Sequence, residues 1–119
     1  LRLANDRPML LEKTYLSVDL CPDLSWERLE NNALYAILTE RYHLQPYRAV
    51  ETYEAVLMTK EESQTLQSKP GEPAFLLRRS TWDAKERLIE YTTSIMPSSR
   101  SKFEITMYHD SVQIVRKTV

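Results

Sequence analysis

A single glycine, Gly71, stands among 119 residues. Glycine is the usual residue where backbone turns left-handed or passes close to a ligand. A chain with one glycine therefore has no phosphate-binding loop built on repeated glycines. The same scarcity removes the Gly-x-Ser-x-Gly nucleophile elbow. Turns must instead be made by Asn, Asp and Pro. They occur as Asn5-Asp6-Arg7-Pro8, as Cys21-Pro22-Asp23 and as Lys69-Pro70-Gly71-Glu72-Pro73.

Between those turns the apolar spacing sets the elements. Leu1-Arg2-Leu3 is a short alternating run, and Met9 to Leu20 reads as a long strand, so the two predict a β-hairpin. Ser25 is a good helix N-cap, with Glu27 in the first turn and Trp26, Leu29, Ala33 and Ile37 at helical spacing. That predicts a helix from about Trp26 to Arg41. Tyr47 to Met58 is strand-like. Thr59-Lys60-Glu61-Glu62 is a capping box, which predicts a short helix to about Gln67. Ala74 to Asp83 and Leu88 to Met96 read as strands around a turn at 84–87, and Phe103 to Tyr108 as another. Ser111 to Val119 is read as a further strand or a tail. The order predicts one α+β domain over residues 1–119, with a mainly antiparallel sheet and two main helices.

Charge and composition narrow the function. Sixteen Lys+Arg against 17 Asp+Glu give a net charge of −1. No basic excess is available to neutralise phosphates, so DNA or RNA binding by this segment alone is disfavoured. One cysteine, Cys21, makes an internal disulfide impossible, and a reducing cytoplasm is the natural reading. No run approaches the ~18–20 apolar residues of a membrane helix, so no membrane partner is expected. Arg2, Asn5, Asp6 and Arg7 interrupt any signal-peptide pattern. Leu1 in place of methionine suggests a segment of something longer. His43 and His109 read as surface residues, and no His, Cys, Asp and Glu spacing resembles a metal site. Neither a catalytic set nor a cofactor is expected.

The informative feature is polar residues inside strands. Leu10, Glu12, Thr14 and Leu16 share one face of their strand. Leu88, Glu90, Thr92, Ser94 and Met96 share one face of theirs, with Ile89, Tyr91, Thr93 and Ile95 opposite. Such a face is either solvated or lines a polar ligand pocket. Its carboxylates would accept hydrogen bonds from ligand hydroxyl or ammonium groups. Candidate arginines beside it are Arg2, Arg41, Arg48, Arg78, Arg79 and Arg100. Arg78 and Arg79 point to opposite faces, so only one of them can meet a given pocket. Arg2 shares the face of Glu12 only if the first hairpin has an odd loop count or a bulge.

Several segments together resemble a known family. Arg-Leu-Ala-Asn-Asp-Arg-Pro-Met (2–9) and Leu-Glu-Lys-Thr-Tyr-Leu (11–16) are similar to the opening of a UTRA domain. Ala-Leu-Tyr-Ala-Ile-Leu (33–38), Arg-Tyr-His-Leu (41–44), Arg-Ala-Val-Glu-Thr (48–52) and Leu-Leu-Arg-Arg (76–79) continue the resemblance. Ile-Glu-Tyr-Thr-Thr-Ser (89–94) and Arg-Ser-Lys-Phe (100–103) complete it. UTRA domains are the effector-binding domains of HutC-type regulators in the GntR superfamily of bacterial transcription factors. The resemblance implies a chorismate-lyase-like fold that has lost lyase chemistry and binds a small-molecule effector. It also implies a homodimer, and DNA contact only through an N-terminal winged helix-turn-helix outside this segment. The family's first strand and helix would likewise precede Leu1.

Residue by residue, the resemblance implies that Arg2 contacts an anionic group. Glu12 and Glu90 match pocket glutamates. Ala33 stands where many relatives have serine, Met96 where some have a pocket tyrosine, and Ser98-Ser99 where Gly-Asp is frequent. With the strand faces, this gives a ligand set of Arg2, Glu12, Thr14, Arg41, Glu90, Thr92, Ser94 and Met96. Glu12 and Glu90 are expected to converge on one cavity with Arg2 at its anionic end, and Glu90→Gln to weaken binding without unfolding. The expected effector is a phosphorylated sugar, an amino sugar or a related metabolite. A small lyase-like enzyme on the same fold is the alternative, and a pure interaction module a third reading.

Overall fold

A computed structural model describes residues 1–4, 6–22 and 34–118. Strand β1 (Arg2–Ala4) and strand β2 (Arg7–Tyr15) are followed by helix α1 (Leu34–Tyr42), strand β3 (Arg48–Leu57) and helix α2 (Lys60–Thr65). Strands β4 (Pro73–Trp82) and β5 (Leu88–Pro97), a 3-10 turn (Ser98–Arg100), and strands β6 (Ser101–Met107) and β7 (Val112–Thr118) complete the order. A five-stranded sheet runs β1-β2-β5-β4-β3, and β6 pairs with β7 separately. Among the described residues the architecture is the expected mostly antiparallel sheet with two helices.

The differences from the sequence reading have local causes. β2 stops at Tyr15, short of Leu20, because Cys21 N–H donates to Ser17 O at 2.9 Å and closes a turn. Leu16 and Leu20 are apolar because they pack against a core, not because they extend the strand. Within the 111–119 segment, Val112–Thr118 is a strand, in antiparallel register Ser101↔Thr118 to Met107↔Val112. The predicted N-cap Ser25, and Trp26, Glu27, Leu29 and Ala33, lie outside the described residues.

The first hairpin carries the bulge on which the position of Arg2 depends. Ala4 pairs with Arg7 and Leu3 with Pro8, but Arg2 pairs with Leu10. One residue of β2 is thus extra. Paired residues of an antiparallel ladder point the same way, so the shift turns Arg2 onto the face of Leu10 and Glu12.

The chain divides into two compact units. One comprises Leu1–Glu12, Tyr53–Leu77 and Ser94–Val119. Its apolar residues form one cluster of Met58, Leu66, Ala74 and Ile95 and another of Leu10, Leu77 and Met96. Phe103 meets Phe75 edge-on at 5.1 Å and Tyr53 at 4.8 Å between ring centroids. Helix α2 has the capping box predicted for it: Glu62 N–H donates to Thr59 Oγ1 at 3.2 Å, and Thr59 N–H to Glu62 Oε1 at 2.9 Å. Arg100 is buried, and its guanidinium donates to the main-chain oxygens of Pro8, Leu66 and Gln67. That arginine serves the fold, because it satisfies carbonyls that a helix end leaves without partners.

The other unit comprises Lys13–Thr52 and Arg78–Thr93. Cys21, Leu38, Leu44 and Ile89 form its core, with Leu16, Leu20, Leu34 and Tyr42 against them. Burial pushes the Cys21 thiol pKa up, which keeps it protonated and unreactive.

Candidate functional site

β5 is the middle strand of five, and both of its faces carry buried residues. Its polar face holds Glu90 at 2% exposure and Thr92 at 0%, against Ile89 at 1% on the other face. A buried carboxylate is tolerated only with partners. Glu90 has them from three elements of its unit. Tyr35 of α1 donates to Glu90 Oε1 at 2.7 Å, and Thr81 of β4 donates to the same oxygen at 2.7 Å. Arg79, two residues before Thr81 and on its face, places Nε 3.4 Å from Oε1 and Nη2 3.2 Å from Oε2. Thr92 donates to Oε2 at 2.8 Å.

A carboxylate offers about four lone-pair sites, so this one is saturated by the protein's own groups. Burial pushes the Glu90 carboxyl up, but the hydrogen bonds from Tyr35, Thr81, Arg79 and Thr92 outweigh it and hold it below its ordinary value. Tyr35 is pushed up, first by burial and then by its bond to Glu90. Burial pulls Arg79 down, and Glu90, with Tyr35 and Glu51, more than reverses it. Arg79 also lies 3.6 Å from Glu51 and over the Tyr35 ring, 6.0 Å from its centroid.

A hydroxyl has one hydrogen, which fixes a direction in the next link. Thr92 spends its hydrogen on Glu90, so in the 3.1 Å contact between Thr14 Oγ1 and Thr92 Oγ1 the donor is Thr14. Thr14, Thr92 and Glu90 therefore form a directed chain ending on the carboxylate.

An open cleft of about 300 Å³ adjoins this cluster. Tyr35, Arg79 and Thr81 line it together with Pro46, Tyr47, Arg48, Ala49 and Glu51. Arg48 lies over the Trp82 ring at 4.1 Å, a cation–π contact. The volume is at the lower end of small-molecule sites, which run ~300–1,000 Å³.

The sequence-derived ligand set has members in both units. In the first unit, Arg2 Nε donates to Glu12 Oε2 at 3.0 Å, with the Arg2 side chain 70% exposed. Ser94 is buried, and Met96 is packed with Leu10, Leu77, Phe75 and Phe103. In the second unit, Thr14, Glu90 and Thr92 come together as described. Arg41 is exposed and bonds to the Tyr42 hydroxyl at 3.2 Å, which in turn donates to Pro22 O at 2.6 Å. Arg79, not Arg78, meets the carboxylate.

Sequence reasoning missed Tyr35, Thr81, Tyr47 and Glu51, and did not choose between the arginines. The available signal was the polar pair Arg79 and Thr81 at strand spacing, across a short turn from Glu90 and Thr92. Among the described residues, no group of three His, Cys, Asp or Glu side chains is arranged to hold a metal ion. No helix among them is long and apolar enough to cross a membrane.

Comparison with known proteins supplies relatives. The family model described as UTRA domain matches residues 1–102. The histidine utilization repressor of Pseudomonas putida is 31% identical over 100 residues, covering 84% of this chain and 39% of that protein. The HTH-type transcriptional repressor NagR of Bacillus subtilis is 30% identical over 103 residues, covering 86% of this chain and 42% of that protein. The solved C-terminal domain of the histidine utilization repressor from Pseudomonas syringae pv. tomato superposes with a TM-score of 0.78 at 26% identity, covering 89% of this chain and 73% of that one. The chain spans about two-fifths of the length of the curated relatives it matches.

Proposed function

This chain belongs to the UTRA domain family, and on that premise we propose that it senses a small-molecule effector for a bacterial transcriptional regulator of the GntR superfamily. The observation that carries the reading is the saturated, buried Glu90 beside an open cleft that shares Tyr35, Arg79 and Thr81 with it. A rigid polar floor under a small cleft suits recognition of a small polar metabolite. We assign the effector to the phosphorylated sugars, amino sugars and related metabolites.

In this reading the working protein is a cytoplasmic homodimer, and DNA is contacted by a winged helix-turn-helix outside these residues. The effector acts by preferring one arrangement of that dimer, since a ligand shifts an equilibrium only by its difference in affinity. The lyase-like alternative has less behind it, because the relatives carry repressor names.

Thermal unfolding tests the reading against a panel of sugar phosphates, amino sugars, amino acids and carboxylic acids. A stabilising compound that is recovered unconsumed supports sensing. Turnover of the compound supports the enzyme instead, and a panel without any stabilising member counts against the effector site.

A further inference from the structure

We propose that Tyr47 is the stacking wall of the cleft, and that it selects ligands presenting a ring with a flat apolar face over open-chain molecules bearing the same polar groups. The inference rests on the effector-site reading above and narrows it to the cyclic members of the ligand class.

Tyr47 is 77% exposed and lines the cleft. An exposed tyrosine by itself is ordinary on a protein surface. This one is set apart by how its main chain is held. Its N–H donates to Trp82 O at 2.9 Å. Its successor, Arg48, lies over the ring of the same Trp82, 4.1 Å from the centroid. Its predecessor is Pro46, whose own ring fixes φ at about −65°. The backbone is thus pinned on both sides while the phenol ring stays in water. A tyrosine side chain has only two torsions to order, so a ligand that covers it gains apolar contact at small entropic cost.

The space beside the ring agrees. Tyr47, Ala49 and Glu51 follow one another at the two-residue spacing of a strand face, and all three line the cleft. Ala49 has the smallest side chain of the lining. An alanine between two longer side chains opens a slot above its methyl, and Tyr47 stands at one side of that slot. A ring placed there meets the phenol face to face, an offset stack that a chain of single bonds cannot match. An open-chain ligand must also give up its internal rotations on binding, which a ring has already lost.

Titration calorimetry of the 119-residue chain tests this. The probes are glucose 6-phosphate and glucosamine, each beside its open-chain alditol, together with the panel above. The ring forms should bind about tenfold more tightly than the alditols, the usual scale of stacking on an aromatic side chain. Tyr47→Ala should remove that ratio and leave the alditols within about twofold, whereas Tyr47→Phe should keep it. Tyr47→Leu, which retains apolar bulk without a flat face, serves as a second variant should Tyr47→Ala shift the urea midpoint. A ring-bearing member of the panel that binds in place of the sugars is held to the same loss in Tyr47→Ala. Equal binding of ring and chain, a ring preference that survives loss of the aromatic side chain, or a panel whose binders are all open-chain overturns the inference and leaves the effector-site reading standing. Absence of binding by these probes and by the whole panel overturns both.

Discussion

Tyr35 and Glu90, 55 residues apart, share a 2.7 Å hydrogen bond in which the phenol is the donor. The bond ties helix α1 to the middle strand of the sheet through a carboxylate that is 2% exposed. Glu90→Gln replaces one acceptor oxygen with an NH2 group. Whichever way the amide turns, a donor then faces donors, and Arg79 loses half of its ion pairing. Removing one partner of a fully buried pair costs ~3–5 kcal/mol. Arg79 is 23% exposed and keeps Glu51, so we expect about 2–4 kcal/mol here. The sequence reading expected weaker binding without unfolding; burial of Glu90 adds this cost in stability. Urea unfolding of the two proteins measures it, and coincident midpoints would contradict it.

The same carboxylate gives stability a pH dependence of definite sign. Hydrogen bonds hold the folded Glu90 carboxyl below its ordinary 4.5, despite burial. A depressed acid contributes stability that is complete above the unfolded value and is lost as pH falls through the folded one. The melting temperature of wild type should therefore exceed that of Glu90→Gln by a constant margin from about pH 7 to about pH 5, and the margin should shrink below about pH 4.5. Asp83, held below its ordinary value by Arg87 and Lys85, contributes in the same direction to the wild-type curve. It is present in both proteins and cancels from the difference. A margin that grows on acidification would reverse the assignment.

The elements were legible because their punctuation is chemical: Pro and Asp turns, a Thr-x-x-Glu box, and alternation between them. The surroundings of Glu90 were not. The alternation of Leu88, Glu90, Thr92, Ser94 and Met96 is what a solvated face also shows, and only what packs on that face, such as Tyr35 of α1 on Glu90, decides between the two. Strand order depends on pairings that a linear pattern does not contain. Arg2 shows the boundary from the other side. The condition for its sharing a face with Glu12 could be written down from parity alone, and the bulge between Arg2 and Leu3 meets it. Tyr35 was hidden because it sits among apolar residues at helical spacing that read as core, whereas its hydroxyl is engaged and the residue is 39% exposed.

Arg100 bears on stability without touching the cleft. Its guanidinium, 7% exposed, joins Pro8, Leu66 and Gln67 through their carbonyl oxygens. Leu66 and Gln67 immediately follow helix α2, so the arginine replaces the water that such carbonyls would otherwise need. Arg100→Met keeps the stem and removes every donor. Three acceptors, on buried Pro8 and Leu66 and exposed Gln67, then lose a charged partner, at ~1–3 kcal/mol for the first and less for each that reaches water. We expect a total loss of about 3 kcal/mol, with faster amide exchange in α2 than elsewhere. Hydrogen exchange read residue by residue would separate this from general loosening. Uniform acceleration across the chain, with no excess in α2, would count against a local role.

Scarcity of glycine leaves a mark on the backbone that can be relieved. Among the described residues, besides Gly71 at φ +75°, four residues with side chains hold left-handed conformations: Asp6, His43, Gln67 and Glu86. Glu86, at φ +63°, closes the turn between β4 and β5, where its N–H donates to Asp83 O at 3.1 Å. A left-handed non-glycine residue costs ~1–2 kcal/mol. Glycine there would remove that cost and add ~0.4–1 kcal/mol of unfolded-chain entropy. Glu86→Gly should therefore stabilise the domain by about 0.5–1 kcal/mol, since the Glu86 side chain is exposed and the main-chain bond survives. The turn also carries Asp83, whose carboxylate accepts from Lys85 and Arg87 N–H. Those bonds already hold the loop, so the gain should appear mainly as slower unfolding only if the turn forms late in folding. Chevron analysis of Glu86→Gly reads both quantities. A lowered equilibrium stability would mean that the side chain of Glu86 makes a contribution larger than the strain it imposes.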